Sequence, residues 1–355
     1  MKVHIFQSEN IYSLSLLDLL YANFDLSDHI FIFRSRNTGK NTLPGSVKVH
    51  YLPGFRNLFK IKKILSGTER IYFHLLPMGP DVFFWYLNKK IFANVVWIYW
   101  GADIYEYRLR NTSIKHLIYE QARRHIIPII PDIAGFLKGD FELIKSVYCS
   151  EAIYHHVVYP IPTNFELCDK LQIKINESGI NPVNVIIGNS GNESNRHLEA
   201  FRILKKFRNE DLNIYCPLSY GARKRSYIRK VINEGRDTFG SKFIPLLDFM
   251  KPEDYLNFLN ETDIVLMNHD RQQGLGNSLS LLYLGKKIYL RKDTTSFEYF
   301  SNQNIKVFDI LSIEKSSFQD FASFNKSDGH KNQEIIKSEF SKENYIKKWK
   351  HILDL

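Results

Sequence analysis

VNVIIGNSGNESNRHLEAFRILKKF, residues 183–207, is the stretch on which the fold turns. Five residues of strand character, VNVII, enter a loop rich in Gly, Asn and Ser, and that loop enters LEAFRILKKF, whose apolar positions recur with helical spacing. A plain connection between packed elements needs only a few turn residues. Residues 188–197 instead collect small side chains, amides and hydroxyls. A strand leading through such a loop to a helix N-terminus opens an α/β unit. Its loop lies beyond the carboxyl end of the strand, where open α/β sheets bind their ligands.

The same alternation runs outward in both directions. Ahead of it, KVHIFQ, HIFIFRS, RIYFHLL, NVVWIYW and HIIPIIP are short, β-branched and aromatic, as buried parallel strands are, with helical segments at 55–65 and 111–124 between them. After the Pro-rich stretch YPIPTNF, 159–165, the pattern restarts with VNVII and continues through LNIYCP, KFIPLL, DIVLMN and KKIYL. The economical reading is two α/β units joined near 160–182. A chain of 355 residues is long enough for two cores.

Composition bounds the function. The three cysteines, Cys149, Cys168 and Cys216, are odd in number and widely spaced, which fits a reducing compartment and gives neither a disulfide framework nor a metal-ligand pattern. The opening MKVHIFQSENIYSLSLL is broken by Gln7, Glu9 and Asn10 and is too short in apolar core for a signal peptide, and no stretch reaches transmembrane length. The net charge is +10, and 19 basic against 13 acidic residues fall within 1–165, so most of the excess lies in the first half. Such an excess suits nucleic acid, anionic lipid or a phosphorylated substrate. There is no zinc pattern, RNP-like segment or concentrated basic stripe, so nucleic acid is not expected as a partner.

Phosphate is the natural guest of the loop at 188–197. Backbone N–H groups at a helix N-terminus carry partial positive charge. Gly188 and Gly191 let the backbone approach a ligand, while Asn189, Ser190, Ser194, Asn195 and His197 supply polar side chains. The competing reading is that Ser194 or Asn195 caps the helix. Neither G-K-[ST] nor G-x-G-x-x-G is present here. A second loop, NHDRQQGLGNS at 268–278, leaves the strand DIVLMN for another helix and presents Arg271, Gln272, Gln273, Gly274, Gly276 and Asn277. A guanidinium beside exposed amides can hold a diphosphate without a metal. A third, CPLSYGARKR at 216–225, adds Ser219, Tyr220, Gly221 and three positive charges.

IGNSGNESNRH, HDRQQGLG and, in the first half, WGADIYE at 100–106 together resemble the signature segments of the bacterial 4-acetamido-4,6-dideoxygalactose (Fuc4NAc) transferases, glycosyltransferase family 56, which includes the enzyme of enterobacterial common antigen synthesis. The resemblance covers most of the chain in order and length. It implies an α/β protein of the GT-B type, with two Rossmann-like domains facing a cleft. Residues 1–165 would bind the acceptor, 166–335 the nucleotide sugar, and 336–355 would form a C-terminal helix of the kind that crosses back to the first domain. It further implies a dTDP-deoxyamino sugar as donor, a polyprenyl-diphosphate-linked glycan as acceptor, and a cytoplasmic protein held peripherally at the inner-membrane surface. Asn192 and Glu193 stand where the family pattern leads us to expect Asp and Arg, which bears on the identity of the donor sugar.

In the first half, WGADIYEYR leaves an apolar strand, so Trp100, Gly101 and Asp103 lie at its carboxyl end. Asp103 is the expected general base for an acceptor hydroxyl, with Glu106 next in line, and a helix cap is its structural alternative. His4 and His74, set in apolar strands, read as acceptor-side core or supporting histidines. No Asp-x-Asp occurs and His155 and His156 are adjacent, so they point to opposite faces of a strand; no metal or other cofactor is expected. FRNLFKIKKIL at 55–65 and DVFFWYLNKKIF at 81–92 interleave aromatics with Lys and Arg, as surfaces facing an anionic leaflet do. A non-catalytic nucleotide-sugar sensor or a sugar-nucleotide epimerase of the same architecture remain the alternatives to a transferase.

Overall fold

The computed structural model describes residues 1–39, 47–108, 114–160, 165–176, 182–221 and 224–355. The chain forms two compact units, one of Met1–Pro162 with Phe340–Leu355 and the other of Thr163–Glu339.

The first unit contains β1 (Lys2–Phe6), α1 (Ile11–Asn23), β2 (His29–Phe33), β3 (Lys48–Tyr51), α2 (Asn57–Leu65), β4 (Arg70–His74), α3 (Asp81–Leu87), β5 (Val95–Ile98), α4 (Ile114–Ile126), β6 (Asp132–Gly135), α5 (Lys138–Tyr148) and β7 (Ile153–His156). Its seven strands pair in parallel in the order β3-β2-β1-β4-β5-β6-β7. One sheet face is covered by the apolar sides of α2 to α5, with Leu58, Ile61, Trp85, Ile126 and Ile144 fully packed. The apolar runs HIFIF and VVWI are buried on both faces, as strands of a doubly covered parallel sheet are.

The second unit contains α6 (Phe165–Lys170), β8 (Val183–Ile187), α7 (His197–Leu204), β9 (Leu212–Pro217), α8 (Arg225–Phe239), β10 (Phe243–Leu246), α9 (Pro252–Asn260), β11 (Ile264–Met267), α10 (Leu275–Tyr283), β12 (Lys287–Leu290), α11 (Thr295–Asn302), β13 (Phe308–Asp309), α12 (Phe318–Ala322) and α13 (Lys326–Glu339). Its parallel sheet has the order β10-β9-β8-β11-β12-β13. The order reverses between β8 and β11, so the loops after these two strands flank the crevice that such a reversal opens.

The last helix, α14 (Lys342–Leu353), belongs to the first unit. Trp349, Ile352 and Leu353 pack with Leu16, Leu17 and Leu20 of α1 on the second face of its sheet, and the Trp349 indole donates to the Val158 carbonyl at 3.0 Å. Among the described residues no helix is long and apolar enough to cross a membrane.

One expected strand is absent. HIIPIIP ends α4 and continues as a 3-10 turn at Ile127–Ile129, and the strand follows at Asp132–Gly135. Pro128 sits in the first turn of that 3-10 segment, where its missing N–H and fixed φ are tolerated and a central strand position is not. The helix expected at 111–124 runs from Ile114 to Ile126, with 111–113 outside the described residues.

Candidate active site

The loop after β8 is built around one buried amide. Gly188 has φ +71, and a Cβ there would lie 2.5 Å from the Asn195 side-chain oxygen, so only glycine fits. That oxygen accepts from the backbone N–H of Asn189 at 2.8 Å and from Nε2 of His269 at 2.9 Å. The Asn195 amide nitrogen donates to Ser190 Oγ at 3.1 Å and to the Asn192 carbonyl at 3.0 Å. Asn195 is therefore internal, as is His197, whose Nδ1 lies 3.0 Å from the Tyr227 hydroxyl. The sequence leads both to face a ligand; both are buried instead, Asn195 bonded within the loops and His197 to Tyr227 of α8. Nor does Ser194 or Asn195 cap α7. Asn192 caps the short 3-10 turn before it, accepting from Ser194 N at 3.0 Å, and α7 starts after Arg196 with no side-chain cap.

The loop after β11 meets this one. His269 is fully buried; burial, and next the nearby Arg271 charge, push its pKa down to about 3, so it stays neutral and ties Asn195 across 74 residues. Gly274, at φ +65, brings the backbone so close that a Cβ would lie 3.1 Å from the Asn189 amide. Gln273 donates to Asn189 Oδ1 at 3.3 Å and accepts from the Ser194 hydroxyl. Gly274 gives α10 no side-chain cap, so the first N–H groups of that helix, including those of Gly276 and Asn277, are not occupied by a capping side chain. Arg271 and Gln272 stand half-buried beside them, Arg271 donating from Nη1 to the Gln272 carbonyl at 3.1 Å.

The loop after β9 closes the group. Gly191 N donates to the Tyr220 carbonyl at 2.8 Å, Asn189 Nδ2 to the Tyr220 hydroxyl at 3.3 Å and Asn192 Nδ2 to the Gly221 carbonyl at 3.3 Å. An open pocket lies here, lined by Ser219, Tyr220, Gly221, Arg225 and Arg229 among others; Ala222 and Arg223 lie outside the described residues. Three loops from three adjacent strands thus converge at the strand-order reversal. Between them they offer backbone amides, hydroxyls, guanidinium groups and a helix N-terminus, a set suited to an anion. The residue pattern alone gives His269 no role. Its place directly after a strand and two residues before Arg271 was the available signal.

In the first unit the structure corrects the expected base. Asp103 is fully buried, with Oδ2 accepting from Leu76 N at 3.1 Å and the Trp97 indole at 2.7 Å, and Oδ1 accepting from Trp100 N at 3.0 Å. Burial raises its pKa, and the three donors act against that rise. Asp103 ties the loops after β4 and β5 together; its carboxylate does not face solvent, and it does not cap a following helix. Its carbonyl accepts from the buried Arg123, which also donates to the Pro77 carbonyl at 3.0 Å. Glu106 is half-buried with Oε1 3.3 Å from His116 Nδ1. Gly101 has φ +93, and Trp100 stacks edge-on against Tyr159 with ring centroids 4.6 Å apart. His4 and His74 are buried in the sheet, 3.0 Å apart, with neither imidazole exposed. Among the described residues there is no group of three or more His, Cys, Asp or Glu that could hold a metal ion.

Two parallel sheets of these strand orders define the GT-B class, and solved structures of that class resemble this chain over its whole length. They include a UDP- and glucose-bound HepE from Anabaena (TM-score 0.66, 11% identity, 99% of each chain covered) and WaaG, a glycosyltransferase of lipopolysaccharide biosynthesis (TM-score 0.58, 11% identity, 99% of this chain and 98% of that one). The sucrose-phosphate synthase of Thermosynechococcus elongatus is similar at TM-score 0.67 and 8% identity, with 100% of this chain and 98% of that one covered. At such identities the likeness concerns fold alone. The sequence goes further: residues 62–355 match the family described as 4-alpha-L-fucosyltransferase, glycosyl transferase group 56. The chain belongs to that family and is a glycosyltransferase.

Proposed function

We propose that the protein moves a 4-acetamido-4,6-dideoxyhexose, Fuc4NAc or a close relative, from a dTDP-sugar to a polyprenyl-diphosphate-linked oligosaccharide in bacterial surface polysaccharide synthesis. The observation that carries this reading is the convergence of the loops after β8, β9 and β11 around Arg271 and the N-terminus of α10. The complex of HepE with UDP and glucose supports a nucleotide sugar as the kind of donor.

In this reading the second unit holds the donor diphosphate. Arg271 and the amides of Gly274 to Asn277 stabilise the negative charge that builds on dTDP as the bond from sugar C1 to the diphosphate breaks. Gly191, Ser194, Ser219, Tyr220 and Gln273 line its approach. The acceptor hydroxyl oxygen forms the new bond to C1, dTDP leaves with the electron pair, and the hydroxyl proton passes to solvent; the acceptor itself is assigned to the first unit, where Trp100, Gly101 and Glu106 follow β5.

A lipid-linked acceptor implies work at a membrane surface, and α2, α3 and α4 carry a face suited to it. Phe55 and Phe59 are exposed and pack edge-on against Phe84, at 6.2 and 5.1 Å, while Phe83 packs against Tyr119 at 5.3 Å. Leu87, Leu117 and Ile118 are exposed as well, and Lys60, Lys62, Lys63, Lys89 and Lys90 project on the same helices and the turn after α3. Exposed aromatics among lysines favour the headgroup region of an anionic leaflet on the cytoplasmic side. The test is incubation with a panel of dTDP-sugars and polyprenyl-diphosphate-linked acceptors, with products identified by mass spectrometry and NMR. A glycosylated lipid product with dTDP-Fuc4NAc supports the proposal, and transfer only from unrelated nucleotide sugars overturns it.

A further inference from the structure

The first unit has a strand-order reversal of its own. Strands β1, β2 and β3 run outward on one side and β4 to β7 on the other, so the loops after β1 and β4 flank a crevice at the carboxyl edge of this sheet. Leu75, the residue after β4, has φ +77, a conformation that leucine rarely adopts. Its backbone is clamped from both sides: its N–H donates to the Ile98 carbonyl at 2.9 Å, and its carbonyl accepts from Gln7 Nε2 at 3.2 Å. Strain of this kind persists only where the surroundings over-determine it, and it gathers at ligand sites.

Two aromatic rings meet at that crevice. Tyr12, in the first turn of α1, comes from the β1 side, and Trp100 follows β5, with β4 between these two strands in the sheet. Their centroids are 5.5 Å apart and their planes 79° apart. Trp100 also stands edge-on to Tyr159, so two near-perpendicular neighbours fix its plane. In an edge-to-face pair, the ring that presents its edge keeps both faces uncovered by its partner. Tyr12 is exposed and Trp100 half-buried, whereas the other three tryptophans, Trp85, Trp97 and Trp349, are fully buried.

The chemistry here differs from that of the second unit. The first amides of α1 are occupied: Asn10 Oδ1 accepts from Tyr12 N–H at 3.0 Å and from Ser13 N–H at 3.1 Å, and Ser13 Oγ accepts from Asn10 N–H at 2.9 Å. Glu9, in the same loop, carries a carboxylate that accepts from Thr38 N–H and the Tyr51 hydroxyl. With its amides taken and a carboxylate beside it, the crevice does not suit a phosphate. It does suit a sugar. The C–H groups on one side of a pyranose ring pack on the negative face of an aromatic ring, and an amide oriented as Gln7 is by Leu75 exchanges hydrogen bonds with the ring hydroxyls.

We propose that Tyr12 and Trp100, with Gln7 beside them, form a stacking subsite that takes a pyranose ring of the acceptor glycan, so that the protein recognises the glycan itself and not its lipid diphosphate alone. The subsite lies wholly within the first unit. The proposal deepens the glycosyl-transfer reading above and rests on it for the identity of the acceptor.

Two measurements on the full chain test it. The first needs no turnover. Trp100 is the tryptophan that a quencher in solution reaches, because the other three are fully buried. Methyl glycosides of glucose, galactose, mannose, N-acetylglucosamine and N-acetylmannosamine are titrated while acrylamide quenches the tryptophan emission. At least one of them should shield the quenchable emission, pyrophosphate should not, and Tyr12→Ala should abolish the shielding. Shielding by none of the glycosides, shielding by pyrophosphate, or shielding that survives Tyr12→Ala overturns the subsite. The second uses a dTDP-sugar and a polyprenyl-diphosphate-linked oligosaccharide that support transfer by the parent. Tyr12→Ala should raise KM for the oligosaccharide acceptor about tenfold, the scale of one aromatic packing interaction, at unchanged KM for the donor. Tyr12→Phe, which keeps the ring, should restore most of that loss. An unchanged acceptor KM in Tyr12→Ala, or an equal rise in both KM values, overturns the subsite. Absence of transfer by the parent with every pair of substrates overturns the proposed reaction instead, and the quenching measurement still decides the subsite.

Discussion

Replacing Asn195 by Ala removes the amide on which the loops after β8 and β11 hang. Its oxygen satisfies two buried donors, Asn189 N–H at 2.8 Å and His269 Nε2–H at 2.9 Å, and its nitrogen serves Ser190 and Asn192. Alanine leaves both donors without that acceptor in a site closed to solvent, and an orphaned buried polar group costs about 1–3 kcal/mol. The sum, about 2–6 kcal/mol, falls on the second unit, where 1 kcal/mol corresponds to about 2–4 °C in Tm for a unit of its size. Scanning calorimetry should therefore show a transition lowered by roughly 10 °C, and titration calorimetry should show weaker dTDP binding, because Asn189 and His269 anchor two of the three loops. Ser194→Ala, which removes a half-buried hydroxyl bonded to Asn192 and Gln273, should cost less than half as much. An Asn195→Ala protein that melts within a degree or two of the parent and binds dTDP equally well would refute the claim that this amide organises the site.

Acid should destabilise the protein earlier than carboxylate titration alone would. His197 and His269 have pKa values lowered to about 4 and about 3 by burial, and His4 and His74 are well lowered too. The unfolded chain binds protons at these positions below about pH 6.5 while the folded chain does not, so their contribution is whole above that pH. It is lost on acidification at about 1.4 kcal/mol per histidine per pH unit. A Tm that stays flat from pH 7 to 4.5 would contradict this. Asp103→Asn leaves one of the donors Leu76 N–H, Trp97 Nε1–H and Trp100 N–H facing an NH2 group, so the first unit should lose about 1–3 kcal/mol; slow turnover at an unchanged Tm would instead restore Asp103 as the base. Transfer should continue in EDTA, since Arg271 and the α10 N-terminus supply the positive charge, and activity restored by magnesium would count against that assignment.

Much of this architecture could be read from residue type. VNVII, DIVLMN and NVVWIYW are apolar on both pleat faces, and only a strand covered on both sides accommodates that. HIIPIIP misled because its isoleucines suit a strand, whereas Pro128 and the helix before it dictate a 3-10 turn. The two-residue β13 and the short edge strands β3 and β7 carry too few residues for a pattern. The loops at 188–197 and 268–278 declared themselves through glycines at positive φ. The inward turn of Asn195 did not, because its partner His269 is 74 residues away. Asp103 looked exposed because its burial depends on Leu76, Trp97 and Arg123, which converge only after β4 and β5 pair. His4 and His74 likewise meet only through the register of β1 and β4.

The central claim is that the donor diphosphate rests on the second unit against Arg271 and the N-terminus of α10. Titration calorimetry of dTDP against the parent protein and Arg271→Ala tests it most directly. A hydrogen bond to a charged group is worth about 1.5–3 kcal/mol, and 1.4 kcal/mol is tenfold in affinity, so the variant should bind at least about tenfold more weakly while melting at the parent temperature. Equal dTDP affinity in a folded Arg271→Ala protein would contradict the account.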